Sequence, residues 1–398
     1  MNQWLVVILV LSIPHLNAFV INASSLQIKR VRSPLWISFD NNNNSENEVS
    51  LLDSSYTSVL TCNGNNKNDE SELQRLVVNP LIQKLEKLYQ DAREPNEGRF
   101  VWDPWVAPTT TTTTTNNEVQ YSMKRATLSS ILTSQDEYEQ LLETMNELGE
   151  SVGLVGISPP WLSCYTSGDF QNFHTDSSHG PLAFVVGIRN QVISGGSTLL
   201  LQPNILDYWS HFAITNENLE APSIIKTIPT VEGQCIAFDP RIPHGVSPVL
   251  TVNNDPYKSG RIVLHGWFNT PQVVYSDTCN DDKKKIQEVV EESLELVPTQ
   301  LAQLDIGRVL GYLCLKLHID DDGSVEKITV VCDTLVADPN DSRGIIIGYD
   351  PDENPIYEDA PSDIRLALQD FFTTQFPSLP PTTTDNQERT ILVPFLFE

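Results

Sequence analysis

Hydrophobic positions follow a helical period in the first part of the chain. Between Ser71 and Asp91 apolar residues recur three or four positions apart, as on one face of an amphipathic helix. Pro80 interrupts this pattern because proline lacks the N–H that a helix interior needs. The segment therefore predicts either a kinked helix or a second helix that Asn79 caps, with Pro80 in its first turn. Gln135 to Gly149 predicts a further helix that ends at the glycine.

From Val152 onward the pattern changes to short apolar runs separated by Gly, Pro, Asn and Asp. Runs of four to eight such residues between turns are typical of strands in a sandwich or barrel. The runs are VGLVGIS, LAFVVGI, STLLLQ, SIIKTI, QCIAF and RIVLHGWF. Lys283 to Leu304 then predicts an acidic helix.

The last segment, from Arg308, predicts a hairpin, a helix and a closing strand. Alternating apolar positions from Leu313 to Ile319 indicate a half-buried strand, and Asp321-Asp322-Gly323 indicates the turn into EKITVVC. The sequence predicts an amphipathic helix at residues 363–376 and a last strand at ILVPFLF. Cys314 and Cys332 fall on the two hairpin strands, where a disulfide between them is one possibility.

This order of elements, over residues 305–398, resembles the C-terminal domain of TonB-type energy transducers. A generic α+β accessory domain explains the same order equally well, because hairpin–helix–strand units are common. The transducer function is not carried over, since nothing in the sequence points to a membrane receptor as partner.

Charge excludes two classes of partner. The chain has 25 basic and 52 acidic residues, a formal net charge of −27. Nucleic acid and anionic membrane surfaces are poor partners for such a protein, because little of it can neutralise phosphates.

The N-terminus is typical of a targeting sequence. Trp4 to Ile13 is an apolar run too short to span a bilayer, and it fits a signal peptide that ends at Ala18. No acidic residue follows before Asp40, whereas Lys29 and two arginines do, a composition that resembles a transit peptide. We expect the secretory pathway, with a plastid reached through a two-part presequence as the alternative.

The candidate chemistry lies in the strand-rich region. His174-Thr175-Asp176 places an imidazole and a carboxylate two positions apart, which on a strand means one face. His244 follows in FDPRIPHGVSP, where a strand begins. Two imidazoles and one carboxylate form the facial triad of non-haem Fe(II) oxygenases.

The surrounding residues carry a more specific resemblance. Tyr165 precedes the pair, Gly195-Gly196 and VEGQCIAFDP follow it, and Arg261 begins RIVLHGWF. This order over residues 160–270 resembles the prolyl 4-hydroxylase-like branch of the Fe(II)/2-oxoglutarate dioxygenase superfamily.

The resemblance implies His174, Asp176 and His244 as iron ligands. It implies that Arg261 pairs with the distal carboxylate of 2-oxoglutarate, for which a guanidinium is well suited, and that Tyr165 hydrogen-bonds this cosubstrate. The sequence departs from the family in two respects. Animal prolyl 4-hydroxylases have lysine in the Arg261 role, and Ser197 stands where an acidic residue is usual after the paired glycines. The pattern assigns no metal to the two neighbouring histidines, His179 and His265.

We therefore predict an α+β protein with a double-stranded β-helix (jelly-roll) oxygenase core, N-terminal helices and a separate small C-terminal α+β domain. The predicted divisions are a signal peptide at 1–18, a partly disordered extension with one amphipathic helical segment at 19–120, the oxygenase domain at 121–275, an acidic linker helix at 276–307, and the C-terminal domain at 308–398.

The resemblance implies hydroxylation of a protein or peptide, with proline as a candidate residue and succinate and carbon dioxide as co-products. Fe(II) and 2-oxoglutarate are the implied cofactors, with ascorbate as a possible reductant. Two other hypotheses stay open: a catalytically silent binding module on the same core, and a cupin-like metal enzyme that needs no cosubstrate. Cupin sites usually offer three histidines and a glutamate, whereas this triad contains an aspartate.

Overall fold

The structure is a computed structural model of the whole chain. It describes residues 20–21, 50–52, 59–62, 74–91, 102–108, 119–176, 179–201, 224–253, 259–276, 283–304, 306–338, 346–349, 355–357, 360–380 and 389–398. The predicted signal peptide at 1–18 and the basic segment after Ile21 lie outside these residues. The chain divides into two compact units, residues 46–270 and residues 1–45 with 271–398.

The described residues form a mixture of strands and helices. The strands are β1 (Val20–Ile21), β2 (Ser50–Leu52), β3 (Val59–Cys62), β4 (Asp103–Pro108), β5 (Val119–Thr127), β6 (Leu154–Ile157), β7 (Trp161–Tyr165), β8 (Phe170–His174), β9 (Leu182–Gln191), β10 (Thr198–Leu201), β11 (Ile225–Ile228), β12 (Cys235–Phe238), β13 (His244–Val246), β14 (Gly260–Pro271), β15 (Val274–Tyr275), β16 (Val309–Ile319), β17 (Val325–Asp333), β18 (Val336–Ala337), β19 (Ile346–Tyr349), β20 (Pro355–Tyr357) and β21 (Arg389–Phe397). The helices are α1 (Asn79–Asp91), α2 (Leu128–Ile131), α3 (Gln135–Glu150), α4 (Lys283–Leu294), α5 (Val297–Leu301) and α6 (Ala360–Thr374).

The unit at 46–270 is built on one curled antiparallel sheet. Its strands run in the order β11-β10-β13-β8-β5-β7-β14-β9-β12-β3-β2, with β4 paired to β5 and β6 paired to β14. Each of the six apolar runs predicted as strands overlaps one of these strands. Strand β9 lies between β14 and β12 and its first eight residues are buried, which explains its continuous apolar sequence.

Two helices of this unit begin as local sequence chemistry dictates. A π-helical turn at Gln74–Val78 precedes α1, which starts at Asn79 with Pro80 as its second residue. Pro80 lies in the first turn of α1, and the π-helical turn runs directly into α1, so the two helical segments are continuous in sequence. Helix α3 starts after Ser134, whose hydroxyl accepts a hydrogen bond from the Glu137 N–H, and it ends one residue beyond the predicted glycine.

The unit that contains residues 271–398 has its own sheet, in the order β1-β21-β16-β17. Strand β15 pairs with β21, and β18 pairs with β16. The predicted hairpin is confirmed as β16 and β17, and Cys314 lies directly opposite Cys332. No disulfide joins these two cysteines in the structure. The turn closes through hydrogen bonds to Asp320, with Gly323 at a φ of 86°.

Helix α4, predicted as part of a linker, shares a hydrophobic core with these strands. Ile286, Val290 and Leu294 of α4 are buried in one cluster with residues of β16, β21 and α6. Strands β2, β3 and β4, from the predicted N-terminal extension, likewise pair within the sheet of the unit at 46–270. The domain boundaries and the TonB-type resemblance stay predictions. Within the described part of the chain, no helix is both long and apolar enough to cross a membrane.

Candidate metal centre

Three predicted ligands come together where β8 and β13 pair. His174 ends β8 and His244 begins β13, and the two residues are directly opposite in the antiparallel register. Their ring centroids are 4.3 Å apart. Asp176 joins them, and one nitrogen or oxygen atom from each of the three side chains lies within 4.8 Å of the others. The predicted convergence of His174, Asp176 and His244 is confirmed.

The reason for the convergence differs in part from the one that the sequence suggested. Strand β8 ends at His174, so Asp176 is not on the strand and the two-residue alternation does not orient it. Instead, the Asp176 N–H donates to the carbonyl of Pro240 at 2.9 Å, which ties the residue to the segment before β13. The carboxylate then faces both imidazoles, at 3.5 Å from each Nε2.

Hydrogen bonds to backbone carbonyls determine which ring nitrogen of each histidine carries the proton. The other ring nitrogen keeps its lone pair and faces the carboxylate. His174 Nδ1 lies 3.0 Å from the carbonyl oxygen of Asn172, and His244 Nδ1 lies 2.9 Å from that of Ile242. A carbonyl only accepts, so both Nδ1 atoms carry the proton and donate. Each Nε2 then carries the lone pair that would bind a metal, and in this structure the lone pair of His174 accepts from the Gln171 amide at 3.0 Å. A hydrogen bond at the other ring nitrogen is the usual support of a metal-binding histidine.

The charge states of these groups also suit a cation. Burial lowers the pKa of His174, and the neighbouring His244 lowers it further, which favours the neutral imidazole. Burial raises the pKa of Asp176, but contact with His244 and His174 outweighs it, so the pKa lies below its ordinary value. A neutral imidazole and an ionised carboxylate are the forms that bind a metal.

Arg261 lies fully inside the unit, opposite Tyr165 in the pairing of β14 with β7. Its exposed fraction is 1%, so it does not lie on the outer surface of the unit. Its Nε donates to the Thr230 hydroxyl at 2.7 Å and its Nη2 to the Thr198 hydroxyl at 3.0 Å. Its Nη1 is buried without a hydrogen-bond partner among the described residues. Gly196 permits this packing, because a Cβ there would lie 3.2 Å from Arg261 Cδ.

The buried cation therefore has hydroxyl partners but no described carboxylate. Burial lowers the pKa of Arg261 from its usual value. A buried charge without a counterion is unfavourable, and an unsatisfied Nη1 adds to that. The N–H groups of the Arg261 guanidinium could therefore bind one planar anion.

Tyr165 connects the arginine to the triad. Burial raises the pKa of its phenol to about 12, against the opposing effect of Arg261, so the hydroxyl is neutral and can donate. The hydroxyl lies 3.1 Å from Gln171 Oε1, and Gln171 Nε2 lies 3.0 Å from His174 Nε2. Sequence reasoning missed Gln171, because a lone polar residue in a strand carries no signal.

The other two histidines near the motif belong to an aromatic group and not to the triad. The His265 ring stacks on Trp161, with centroids 5.5 Å apart and planes 6° apart. Burial, with the charge of Arg261, lowers the pKa of His265 to about 3. His179 stacks on Trp267 at 4.4 Å.

A buried ion pair supports the β7–β8 turn beside Tyr165. The Asp169 carboxylate accepts from Lys124 Nζ at 2.9 Å, from the Ser122 hydroxyl at 2.7 Å and from the Thr166 N–H at 2.8 Å. Burial raises the pKa of Asp169, but these donors outweigh it and the pKa is lowered. The ionised carboxylate therefore stabilises the fold above its unfolded pKa of about 3.9, and this contribution is lost as pH falls through the folded value.

Replacing Asp169 with Asn should destabilise the unit at 46–270 by about 1–3 kcal/mol at neutral pH, because Lys124 is left half-buried without its counterion. The penalty should shrink as pH falls below the unfolded pKa of about 3.9 and disappear once the folded carboxylate is protonated as well. Denaturant titration followed by tryptophan fluorescence measures it, since five of the seven tryptophans lie in residues 46–270. Asp322→Asn, in an exposed turn, is the matched control. Equal stability of Asp169→Asn and wild type would contradict the argument.

Comparisons with known proteins were made on the sequence and on the structure. No family model and no curated protein matches the sequence. Among solved structures, a prolyl-4-hydroxylase from Pseudomonas putida is 18% identical, with 47% of this chain and 87% of that chain covered and a TM-score of 0.28. A prolyl hydroxylase from Trichoplax adhaerens, in complex with a hypoxia inducible factor peptide, is 15% identical, with 53% and 83% covered and a TM-score of 0.33.

A 2OG-Fe(II) oxygenase family member from Burkholderia pseudomallei is 10% identical, with 46% and 76% covered and a TM-score of 0.28. The chain is thus similar to 2-oxoglutarate/Fe(II) oxygenases, the superfamily that its motifs resemble. At overlaps this low the likeness carries no argument about activity, substrate or partner.

Proposed function

We propose that the protein is an Fe(II)- and 2-oxoglutarate-dependent dioxygenase with a double-stranded β-helix (jelly-roll) core. The observation that carries the proposal is the set of two imidazole Nε2 atoms and one carboxylate within 4.8 Å of one another, with both Nδ1 atoms bonded to backbone carbonyls. A buried arginine without a described counterion lies opposite Tyr165, which the Gln171 side chain links to His174.

The residues fit the proposed metal. Ligands about 2.0–2.2 Å from one ion lie roughly 3–4 Å from one another, which the 3.5 Å separations between Asp176 and the two imidazoles match. Two imidazoles and one carboxylate are the donor set that suits Fe(II), and they leave coordination positions open. When bound, iron supplies the reactivity toward dioxygen that no side chain here possesses.

The residues also fit the proposed cosubstrate. Arg261 would bind the distal carboxylate of 2-oxoglutarate, which supplies acceptors for the buried Nη1 and offsets the uncompensated charge. The Tyr165 hydroxyl is neutral because burial raises its pKa, and it would donate a hydrogen bond to the same molecule. The reaction would convert 2-oxoglutarate and dioxygen to succinate and carbon dioxide while one C–H bond of the substrate becomes C–OH. Ascorbate would act as the reductant that keeps iron ferrous.

For the substrate we propose a protein or peptide, with a prolyl residue as the first candidate. The motif resemblance over residues 160–270 supports this choice. Nucleic acid and membranes are poor partners because of the net charge of −27. The N-terminal sequence supports delivery to the secretory pathway, with a plastid as the alternative.

The test is succinate release from protein that is loaded with Fe(II) anaerobically before oxygen is admitted, against a panel of peptides and metabolites. We expect succinate in the presence of at least one substrate class and none from His244→Ala. Stoichiometric retention of Fe(II) without succinate from any panel member would contradict the proposal and favour a catalytically silent binding module.

A further inference from the structure

Four neighbouring strands, β4, β5, β7 and β14, bring a row of aromatic and cationic side chains together. Arg125 on β5 is opposite Ser163 on β7, so Trp161, two positions from Ser163, lies on the same face as Arg125. Trp161 is in turn directly opposite His265 on β14. Trp105, on β4, is two positions from the residue opposite Arg125 and so shares this face too. We call these four residues, Trp105, Arg125, Trp161 and His265, the aromatic row.

Arg125 is held in this row by ring faces and not by an acid. Its Cζ lies 3.9 Å from the centre of the Trp161 ring and 4.7 Å from that of Trp105. Asp103 is directly opposite Arg125 in the pairing of β4 with β5, yet no described carboxylate forms an ion pair with Arg125. Stacking on indoles fixes the plane of a guanidinium and leaves its N–H edges for another partner.

The row leads from the surface to the strand face that carries Arg261. Trp105 is 41% exposed at one end. At the other end, His265 lies on the same face of β14 as Arg261, four positions along the strand. Between them, Trp161 Nε1 and His265 Nε2 are buried without a hydrogen-bond partner among the described residues. The row therefore offers a cation, ring faces and unused polar atoms on the strand face that also carries Arg261.

We propose that the aromatic row is a substrate-binding subsite in which Arg125 binds the carboxylate of an acidic side chain close to the hydroxylated residue of a peptide. This inference rests on the proposed function for its peptide substrate. A planar guanidinium with free edges matches a carboxylate in a bidentate pair. The net charge of −27 disfavours a long polyanion, so a single acidic residue recognised at short range is the chemistry that fits.

The test is a binding array of labelled peptides with a fixed central proline. At each position from four before to four after the proline, matched peptides carry Glu, Gln or Lys, a span of about 13 Å on either side in extended chain. Binding to the full chain, loaded with Mn(II) and 2-oxoglutarate, is measured by fluorescence polarisation. We expect Glu to strengthen binding at one or two neighbouring positions, and Arg125→Gln to remove that preference with a roughly tenfold weaker affinity for the Glu peptide only.

Arg75→Gln, which removes one exposed positive charge from the π-helical turn, is the matched control and should keep the preference. Arg125→Lys should retain part of it, since it keeps the charge and loses the planar fork. Binding that does not depend on peptide charge, equal loss in the control, or no binding of any peptide would overturn the subsite.

Calorimetric titration of metal and 2-oxoglutarate into the same preparations separates the two proposals. If wild type and Arg125→Gln bind both and the array shows no preference for Glu, the subsite alone is wrong. If wild type binds neither metal nor 2-oxoglutarate, the proposed function fails and the subsite fails with it.

Discussion

Replacing any one of His174, Asp176 or His244 with Ala should lower the affinity for Fe(II) or Mn(II) by at least 100-fold and abolish succinate release. Each residue would supply one of the three proposed protein donors, and even the loss of a residue that merely supports a ligand lowers metal affinity by 10–100-fold. Calorimetric titration of Mn(II) into each variant measures the first effect without any turnover.

The fold should survive these substitutions. His174 and Asp176 are partly exposed, at 22% and 30% of their side chains, so alanine removes little buried area. His318→Ala is the matched control, because that histidine lies on β16 in the other compact unit and bonds the Thr329 hydroxyl. Metal affinity that is the same in wild type and all three triad variants would show that the triad is not the metal centre.

Replacing Arg261 with Ala should raise the Kd and the apparent KM for 2-oxoglutarate by tenfold or more, since loss of a buried charge-assisted pair costs about 2–5 kcal/mol. Metal affinity should be unchanged, because Arg261 is not among the three donors. The guanidinium is already oriented by the Thr198 and Thr230 hydroxyls, so the free protein holds it ready for an anion.

Arg261→Lys distinguishes charge from geometry. Lysine keeps the positive charge but cannot reach both hydroxyls and a carboxylate with a planar fork, so we expect an intermediate affinity. Thermal unfolding of each variant verifies that the buried site remains folded. Equal 2-oxoglutarate affinity in wild type and Arg261→Ala would remove Arg261 from the cosubstrate site.

The parts of the fold that the sequence predicted are those where burial determines composition. Strands β9, β12 and β14 are buried along most of their length, so apolar residues dominate their sequences. Strands β5 and β8 are mostly only partly buried and contain Gln, Lys, Arg and Asn, so no such run marks them. β8 nevertheless carries His174, and it became predictable only through the chemistry of the motif.

The candidate site was predictable to the extent that it depends on residue type. Strand register places His174 opposite His244 and Arg261 opposite Tyr165. The motifs identified these residues by type and by their order along the chain. The position of Asp176 depends on one backbone hydrogen bond to Pro240, a residue 64 positions away that no local pattern identifies. The contact of Arg125 with Trp161 likewise depends on the pairing of β5 with β7, which brings together two residues 36 positions apart in the sequence.

Tertiary packing also determined the surroundings of helix α4. Its charged sequence suggested a linker, yet the apolar residues between the charges are buried against β16, β21 and α6. An amphipathic helix has the same pattern whether its apolar face meets a distant strand or a neighbouring helix. The sequence alone therefore predicts helix α4 but not the strands and helix against which it packs.

The most direct test of the account is calorimetric titration of 2-oxoglutarate into the full chain, with and without one equivalent of Mn(II) and in the absence of oxygen. We predict one bound metal per chain, then one bound 2-oxoglutarate with much higher affinity when the metal is present. We predict that His174→Ala loses both steps and Arg261→Ala only the second. Absence of metal binding, or 2-oxoglutarate binding that is weak and independent of metal, would contradict the account.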